Sequence, residues 1–417
     1  MAITDKTQGV WNTDEVYNKI NQSDWPLPGS VGDPYKLFTW GSNSYGQLGL
    51  NGATGWPNGK SSPTQIPGTT WASIGSGGNG YSEGVKIATK TDGTLWTWGK
   101  NSAGALGQND RTQRSSPVQV PGTTWKDVNG SAQVMATKTD GSLWMWGSNE
   151  AGKLGQNEAP GTRNSYSSPV QIPGTTWEIG GSKSSVKGIV ATIKTDGTLW
   201  VWGSNGLGQL GLNQGTDVSF NRSSPTQVGT ETTWSTVSAG NGFTYGVKTD
   251  GTAWGWGRNE YGEMGQNTTG AGGSPSNYGF SSPIQIGTNT NWLTLTAGQG
   301  SCFGTKTDGT LWSWGANKWG NLAQNSTTET DRISSPAQVG TETTWSQTLG
   351  TVATMDYAAG AIKTDGTLWM WGYQFYGVLG NNTQNEYGGI ASPVQLPGTS
   401  WARVFGTSNS VVAQQNL

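Results

Sequence analysis

The chain contains no histidine and a single cysteine, Cys302, so the side chains most often used as general base, nucleophile or zinc ligand are almost wholly missing. Serine–histidine and cysteine–histidine nucleophile pairs are excluded, and one thiol cannot close a disulfide within the chain. Cys302 reads as a small buried hydrophobe. The acid–base groups that do recur at regular spacing are six aspartates, Asp92, Asp140, Asp196, Asp250, Asp308 and Asp365, each within Lys-Thr-Asp-Gly. Asp-Gly between two short apolar runs signals a two-residue hairpin, because a type I′ turn needs positive φ at both central positions. These carboxylates are therefore expected at hairpin tips that point away from one another. The scattered glutamates show no converging pair of the kind a glycosidase requires. No catalytic, cofactor-binding or metal-ligating residue is assigned, and the chain is expected not to be an enzyme.

The elements that carry these tips follow from composition. Among 417 residues there are 67 Gly and 17 Pro, which disfavour long helices, while 24 Trp supply far more aromatic surface than a disordered chain contains. An all-β fold with a real core is expected. Lys and Arg number 24 against 26 Asp and Glu, so there is no basic footprint for nucleic acid. The first residues lack a basic segment followed by an apolar run, and no stretch approaches 18 apolar residues. Neither a signal peptide nor a membrane span is expected.

A period organises the chain. Tryptophan followed by glycine recurs at Trp40, Trp98, Trp146, Trp202, Trp256, Trp314 and Trp371, at intervals of 48 to 58 residues. Downstream of each come a Gly-x-Leu-Gly-like segment, then Ser-Ser-Pro or Ala-Ser-Pro, then Gly-Thr-Thr-Trp or a close variant. In Thr-Leu-Trp-Thr-Trp-Gly the two indoles share one side of a strand, which must be covered. A four-stranded sheet cannot bury both faces alone, but seven arranged radially bury them against each other. The expected fold is a seven-bladed β-propeller of four-stranded blades over residues 34–417, with the repeated tryptophans as spacers between blades.

The two ends are complementary. The first copy lacks a Lys-Thr-Asp-Gly hairpin, and the last stops after Trp401, so the strand around Val411, Val412 and Ala413 is expected to pair with Leu37 to Trp40. One blade is then closed by both termini. Residues 1–33 form a separate N-terminal arm. Asn12 and Glu15 make a capping signal and Trp11 with Val16 a hydrophobic staple, predicting a short helix. The arm's apolar set, Trp11, Val16, Tyr17, Ile20 and Trp25, is a candidate anchor to other proteins.

Residues 95–109, LWTWGKNSAGALGQN, and 199–213, LWVWGSNGLGQLGLN, resemble the repeat of the regulator of chromosome condensation family. That resemblance covers about residues 35–417 and implies a seven-bladed propeller with a blade shared by the termini. Founding members of the family promote nucleotide exchange on a small GTPase and bind chromatin, and their repeats usually carry a histidine before the inner strand. Here the matching regions are Gly-Tyr-Ser at 80–82, Gly-Phe-Thr-Tyr at 242–245 and Gly-Ser-Cys-Phe at 300–303, so no exchange residue carries over. The Gly-, Asn-, Ser- and Thr-rich wording is more similar to bacterial and viral members, and residues 7–22 resemble N-terminal segments of bacteriophage structural proteins.

These observations together lead to the expectation of a non-enzymatic bacteriophage virion protein. It would be a display or attachment module on tail or capsid, assembled in the host cytoplasm and bound through its arm to other virion proteins. The alternative is an intracellular propeller that regulates a GTPase-like protein. Loops at equivalent repeat positions emerge on one face. In the inserts between Gly-x-Leu-Gly and Ser-Ser-Pro, Trp56, Tyr166, Phe220, Tyr278, Phe280 and Tyr387 are candidate ligand contacts, suited to stacking on host-surface carbohydrate.

Overall fold

The computed structural model describes residues 34–55, 58–75, 84–130, 132–158, 164–179, 182–183, 188–214, 217–269, 279–328, 331–383 and 388–417. The expected arm, with Trp11, Val16, Tyr17, Ile20 and Trp25, lies outside the described residues, as do Trp56, Tyr278 and Tyr387. Among those described, the regular elements are β-strands and short 3-10 turns.

The strands form seven antiparallel blades. Blade 5 shows the plan: Trp234–Ala239, Phe243–Lys248, Ala253–Arg258 and Gly279–Gln285 pair in chain order. Blades 2, 3, 4, 6 and 7 occupy residues 71–120, 125–172, 177–227, 292–338 and 352–395. Blade 1 combines Trp401–Gly406, Ser410–Asn416, Tyr35–Gly41 and the first half of Lys60–Gly75, whose second half opens blade 2. Tyr35–Gly41 pairs with Ser410–Asn416 as expected, with Trp40 opposite Val411, Thr39 opposite Val412 and Phe38 opposite Ala413. Neighbouring first strands, such as Trp234–Ala239 and Trp292–Ala297, touch around the axis, whereas fourth strands are half-exposed at the rim.

Alternation within each strand places apolar side chains on both sheet faces, and these meet in seven apolar clusters, one at each blade interface. Every cluster holds the tryptophan that precedes the repeat glycine, and all seven of these are fully buried. Each donates its indole N–H backward to a main-chain carbonyl in the Gly-x-Leu-Gly segment of the preceding blade. Trp314 reaches the Glu263 carbonyl at 2.7 Å, Trp202 that of Lys153 at 2.9 Å, and Trp98 that of Gln47 at 3.0 Å. Trp40 bonds the Val378 carbonyl at 2.8 Å and so joins blade 1 to blade 7.

The second glycine of Gly-x-Leu-Gly makes room for this contact. At Gly211, φ is +68° and a Cβ would lie 2.7 Å from the Trp256 indole nitrogen. Blade 6 alone has alanine there, Ala323, held at φ +57°. Two residues beyond, a left-handed asparagine donates its backbone N–H to the next blade's outer strand, as Asn109 does to the Ser167 carbonyl at 2.7 Å.

Removing residues 408–417 takes away the strand between Trp401–Gly406 and Tyr35–Gly41 and leaves two open edges. We expect such a chain to lose its cooperative melt and to aggregate on size-exclusion chromatography; an unchanged melting temperature would contradict the pairing. Trp202→Ala removes a latch and opens a cavity, at an expected cost of about 3 to 5 kcal/mol in chemical denaturation. Gly211→Ala forces a Cβ onto Trp256 in a left-handed conformation and is expected to destabilise by at least about 1 kcal/mol.

Candidate interaction surface

Second strands run toward the Asp-Gly tips and third strands away from them, so the propeller has a hairpin face and a loop face. On the hairpin face the repeated polar residues are committed to one another. Asp92 accepts from the Thr94 backbone N–H at 2.9 Å and its hydroxyl at 2.6 Å, and that hydroxyl accepts from Trp96 Nε1 at 2.8 Å. The Thr94 hydroxyl and then its N–H hold the Asp92 carboxyl below the usual range. The same arrangement repeats at Asp140, Asp196, Asp250, Asp308 and Asp365. The lysine of each Lys-Thr-Asp-Gly lies over two indoles, as Lys248 Nζ does 3.9 Å from the Trp254 ring centre and 5.1 Å from that of Trp234. Tip aspartates thus cap turns on six separate blades. Among the described residues no group of three or more His, Cys, Asp or Glu gathers to hold a metal.

Cys302 is fully buried in the blade 5–6 cluster, and burial pushes its thiol well up. Beside it, Tyr245 donates its hydroxyl to the Glu263 carbonyl. Burial also raises the Glu263 carboxyl, against the Arg258 guanidinium 2.9 Å away. This ion pair is closed, with Arg258 donating further to the Gln299 carbonyl at 2.7 Å.

The loop face is not seven-fold alike. The residue before the first glycine of Gly-x-Leu-Gly is Tyr261, Trp319, Tyr376 and Tyr45 on the consecutive blades 5, 6, 7 and 1, but Ala103, Ala151 and Leu207 on blades 2, 3 and 4. All four aromatics are half-buried. Arg258 and Arg332 flank the Tyr261 ring at 5.4 and 4.6 Å, and Lys100 lies 4.6 Å from Tyr45. Between blades 6 and 7, Trp319 stacks on Tyr373 with centres 5.4 Å apart, and Tyr373 meets Tyr357 at 6.5 Å and Phe375 at 5.9 Å. The result is an aromatic arc over half of one face.

Three of the loop aromatics singled out from sequence are described, and each engages its own blade. Tyr166 opens the outer strand of blade 3, donates its hydroxyl to the Glu158 carboxylate and packs against two apolar clusters. Phe220 ends the 3-10 turn Val218–Phe220 of blade 4 and is half-buried. Phe280 pairs opposite Gly257 and packs against the blade 5–6 cluster. The structure does not bring these three together. The arc contains none of them; sequence reasoning passed over it because its members lie inside the repeat rather than in the inserts. Aligning the copies column by column exposes it, since aromatic residues occupy one column in consecutive copies only.

Residues 36–80, 92–134, 140–178 and 196–247 match the model of the regulator of chromosome condensation (RCC1) repeat, and 234–263 match a second RCC1 repeat model. The matched segments are similar to RCC1 repeats. The mitochondrial RCC1 domain-containing protein RUG3 of Arabidopsis thaliana is 26% identical over 358 residues, 81% of this chain and 77% of RUG3. The human probable E3 ubiquitin-protein ligase HERC3 is 36% identical over 93 residues, which span only 8% of HERC3. Among solved structures, Prp20p of Saccharomyces cerevisiae superposes with a TM-score of 0.75 at 17% identity, covering 94% of each chain. Human WBSCR16 gives a TM-score of 0.75 at 17% identity over 92% of this chain and 99% of that one. At these identities the likeness is one of fold.

One further group in the propeller departs from its repeat. Lys86 stands on blade 2 where blades 3 and 4 have Val134 and Val190, and it is fully buried. Its ammonium donates across the interface to the Ser410 carbonyl at 3.2 Å and the Thr407 hydroxyl at 3.4 Å, both in blade 1. Burial lowers its pKa to about 7 from 10.5. Between those values the unfolded chain binds the extra proton, so stability rises with pH. Below pH 7 both states are protonated and the penalty is fully present. Relative to Lys86→Met, the wild-type melting temperature should therefore climb from pH 7 to pH 10; parallel curves would show that the amine is not desolvated.

Proposed function

We propose that this RCC1-repeat propeller is a non-catalytic, protein-binding module whose partner docks on the aromatic half of the loop face. The observation that carries the reading is the asymmetry itself. A ring of like blades is held together by the same latches at every interface, and nothing in that framework requires aromatics on blades 5, 6, 7 and 1 but alanine or leucine on the others. Tyrosine, tryptophan and arginine gathered on one patch are the residue types that dominate the energetics of protein interfaces. The relatives lend support of a general kind: Prp20p is described with binding to Gsp1p and histones. A regulatory protein partner inside the cell is the reading this likeness favours.

Display on a bacteriophage particle is a second reading. What supports it is the likeness of residues 7–22 to phage structural proteins, together with the point of chain entry. Tyr35 starts a third strand and so lies at its hairpin-face end, opposite the aromatic arc. An arm anchored through Trp11, Val16, Tyr17, Ile20 and Trp25 would then leave the arc facing outward, toward a host-surface glycan or protein, with a virion as the protein's location.

Affinity capture with mass spectrometry separates the two. The full chain, a Tyr261→Ala/Tyr373→Ala variant and a chain lacking residues 1–33 are each immobilised and exposed to lysate of the source cells. On the leading reading one discrete protein is retained by the full and shortened chains and lost with the double variant. Retention that depends only on residues 1–33, with particle proteins recovered, would favour the display reading. Identical capture by all three would overturn the assignment to the arc.

A further inference from the structure

The left-handed asparagine that fastens each turn to the next blade recurs in all seven copies, from Asn51 in blade 1 to Asn382 in blade 7. In five copies its side chain is fastened too. Ser168, Ser224, Ser282, Ser335 and Ser392 each donate a hydroxyl to the carboxamide oxygen of the preceding blade's asparagine, at 2.8 to 3.4 Å. Among the described residues Asn51 and Asn382 lack that bond. Asn51 differs in a second respect. Glycine follows it, where the other copies have Asp110, Glu158, Gln214, Thr268, Ser326 and Thr383.

An Asn-Gly pair is open to one covalent reaction. The backbone nitrogen after the asparagine, once deprotonated, attacks the side-chain carboxamide carbon; a C–N bond forms, ammonia leaves and a five-membered succinimide remains. Water then opens either ring carbonyl, giving an aspartyl or an isoaspartyl residue and a new carboxylate. A side chain on the following residue obstructs the attack, and glycine has none. Within a fold the reaction also needs an accessible carboxamide, an unbonded amide and freedom to turn the asparagine Cα–C bond. Asn51 and Gly52 meet all three conditions. Both are exposed. The Gly52 N–H, the Asn51 carbonyl and the Asn51 side chain make no hydrogen bond among the described residues, and a Cβ built on Gly52 would meet nothing within 4 Å. The bond from the Asn51 N–H to the Ser115 carbonyl, 2.8 Å long, lies upstream of the turning bond and does not oppose it. Other Asn-Gly pairs are held: Asn129, Asn205 and Asn241 are buried, and Asn58 donates its carboxamide to the Thr54 carbonyl at 3.1 Å. Asn79 lies outside the described residues. We propose that Asn51–Gly52 is a site of spontaneous deamidation in the folded protein. The product carries a new negative charge in the blade 1 loop that Asn43 Nδ2 holds through the Ala53 carbonyl at 2.9 Å. In its isoaspartyl form it also carries an extra backbone carbon and a free α-carboxylate, the group that isoaspartyl carboxyl methyltransferases esterify.

The test follows the full chain, native and in urea, through incubation in mildly alkaline buffer, which deprotonates backbone amides more often. Peptide mapping with fragment-ion assignment reads the mass gain of NH2 replaced by OH at each asparagine. Methyl transfer from labelled S-adenosylmethionine by an isoaspartyl carboxyl methyltransferase counts the isoaspartyl product. In the native chain Asn51 is expected to convert while Asn109, Asn157 and the buried Asn205 do not. Urea should release Asn205 but speed Asn51 little. Gly52→Ala should slow conversion at Asn51 at least about tenfold with an unchanged melting temperature, because that position has room for a Cβ and an ordinary φ. Conversion of Asn51 only in urea would show that the fold protects it and would overturn the proposal. Equal rates in wild type and Gly52→Ala, or at Asn51 and Asn109, would overturn it as well.

Discussion

Every blade interface in this propeller depends on one directional contact, the indole N–H of the tryptophan before the repeat glycine bonded to a carbonyl of the preceding blade. Burial of the indole supplies the larger energy, but it is non-directional and would tolerate blades slipping against each other. The hydrogen bond is worth only about 1 kcal/mol net, yet leaving it unmade would strand a donor and a carbonyl in an apolar cluster. Register is therefore enforced. Other repeat features follow from accommodating this contact, including the left-handed glycine that leaves room for the ring and the asparagine that fastens the same turn to the next outer strand.

The hairpin face shows what a repeat does with residues that could otherwise perform chemistry. Its aspartates are spent on turn capping, its lysines lie over paired indoles, and its threonine hydroxyls connect the two. Six such tips sit on six blades, and in each the aspartate carboxylate is bonded by the hydroxyl two residues on. The loop face differs because successive turns carry different side chains at the position before the first glycine. Variation there costs the framework little, so an asymmetric surface can be built on a symmetric ring. That division leaves the loop face free to vary.

The sequence by itself determined a great deal. A period of 48 to 58 residues, Asp-Gly hairpin signals and two indoles on one side of a strand specify blades, and the complementary half-copies at the ends specify closure, because these are local patterns repeated along the chain. The pairing of Val411, Val412 and Ala413 with Leu37 to Trp40 was legible for that reason. The burial of Cys302 and Trp202 followed from type and position. What tertiary structure alone decided are relations between blades. Tyr261, Trp319, Tyr376 and Tyr45 stand far apart in the chain and become one arc only when the ring closes. Lys86 loses its water to Ser410 and Thr407 at the other end of the chain. Local sequence encodes local geometry, whereas desolvation and surface neighbourhood are set by whichever distant segment packs alongside.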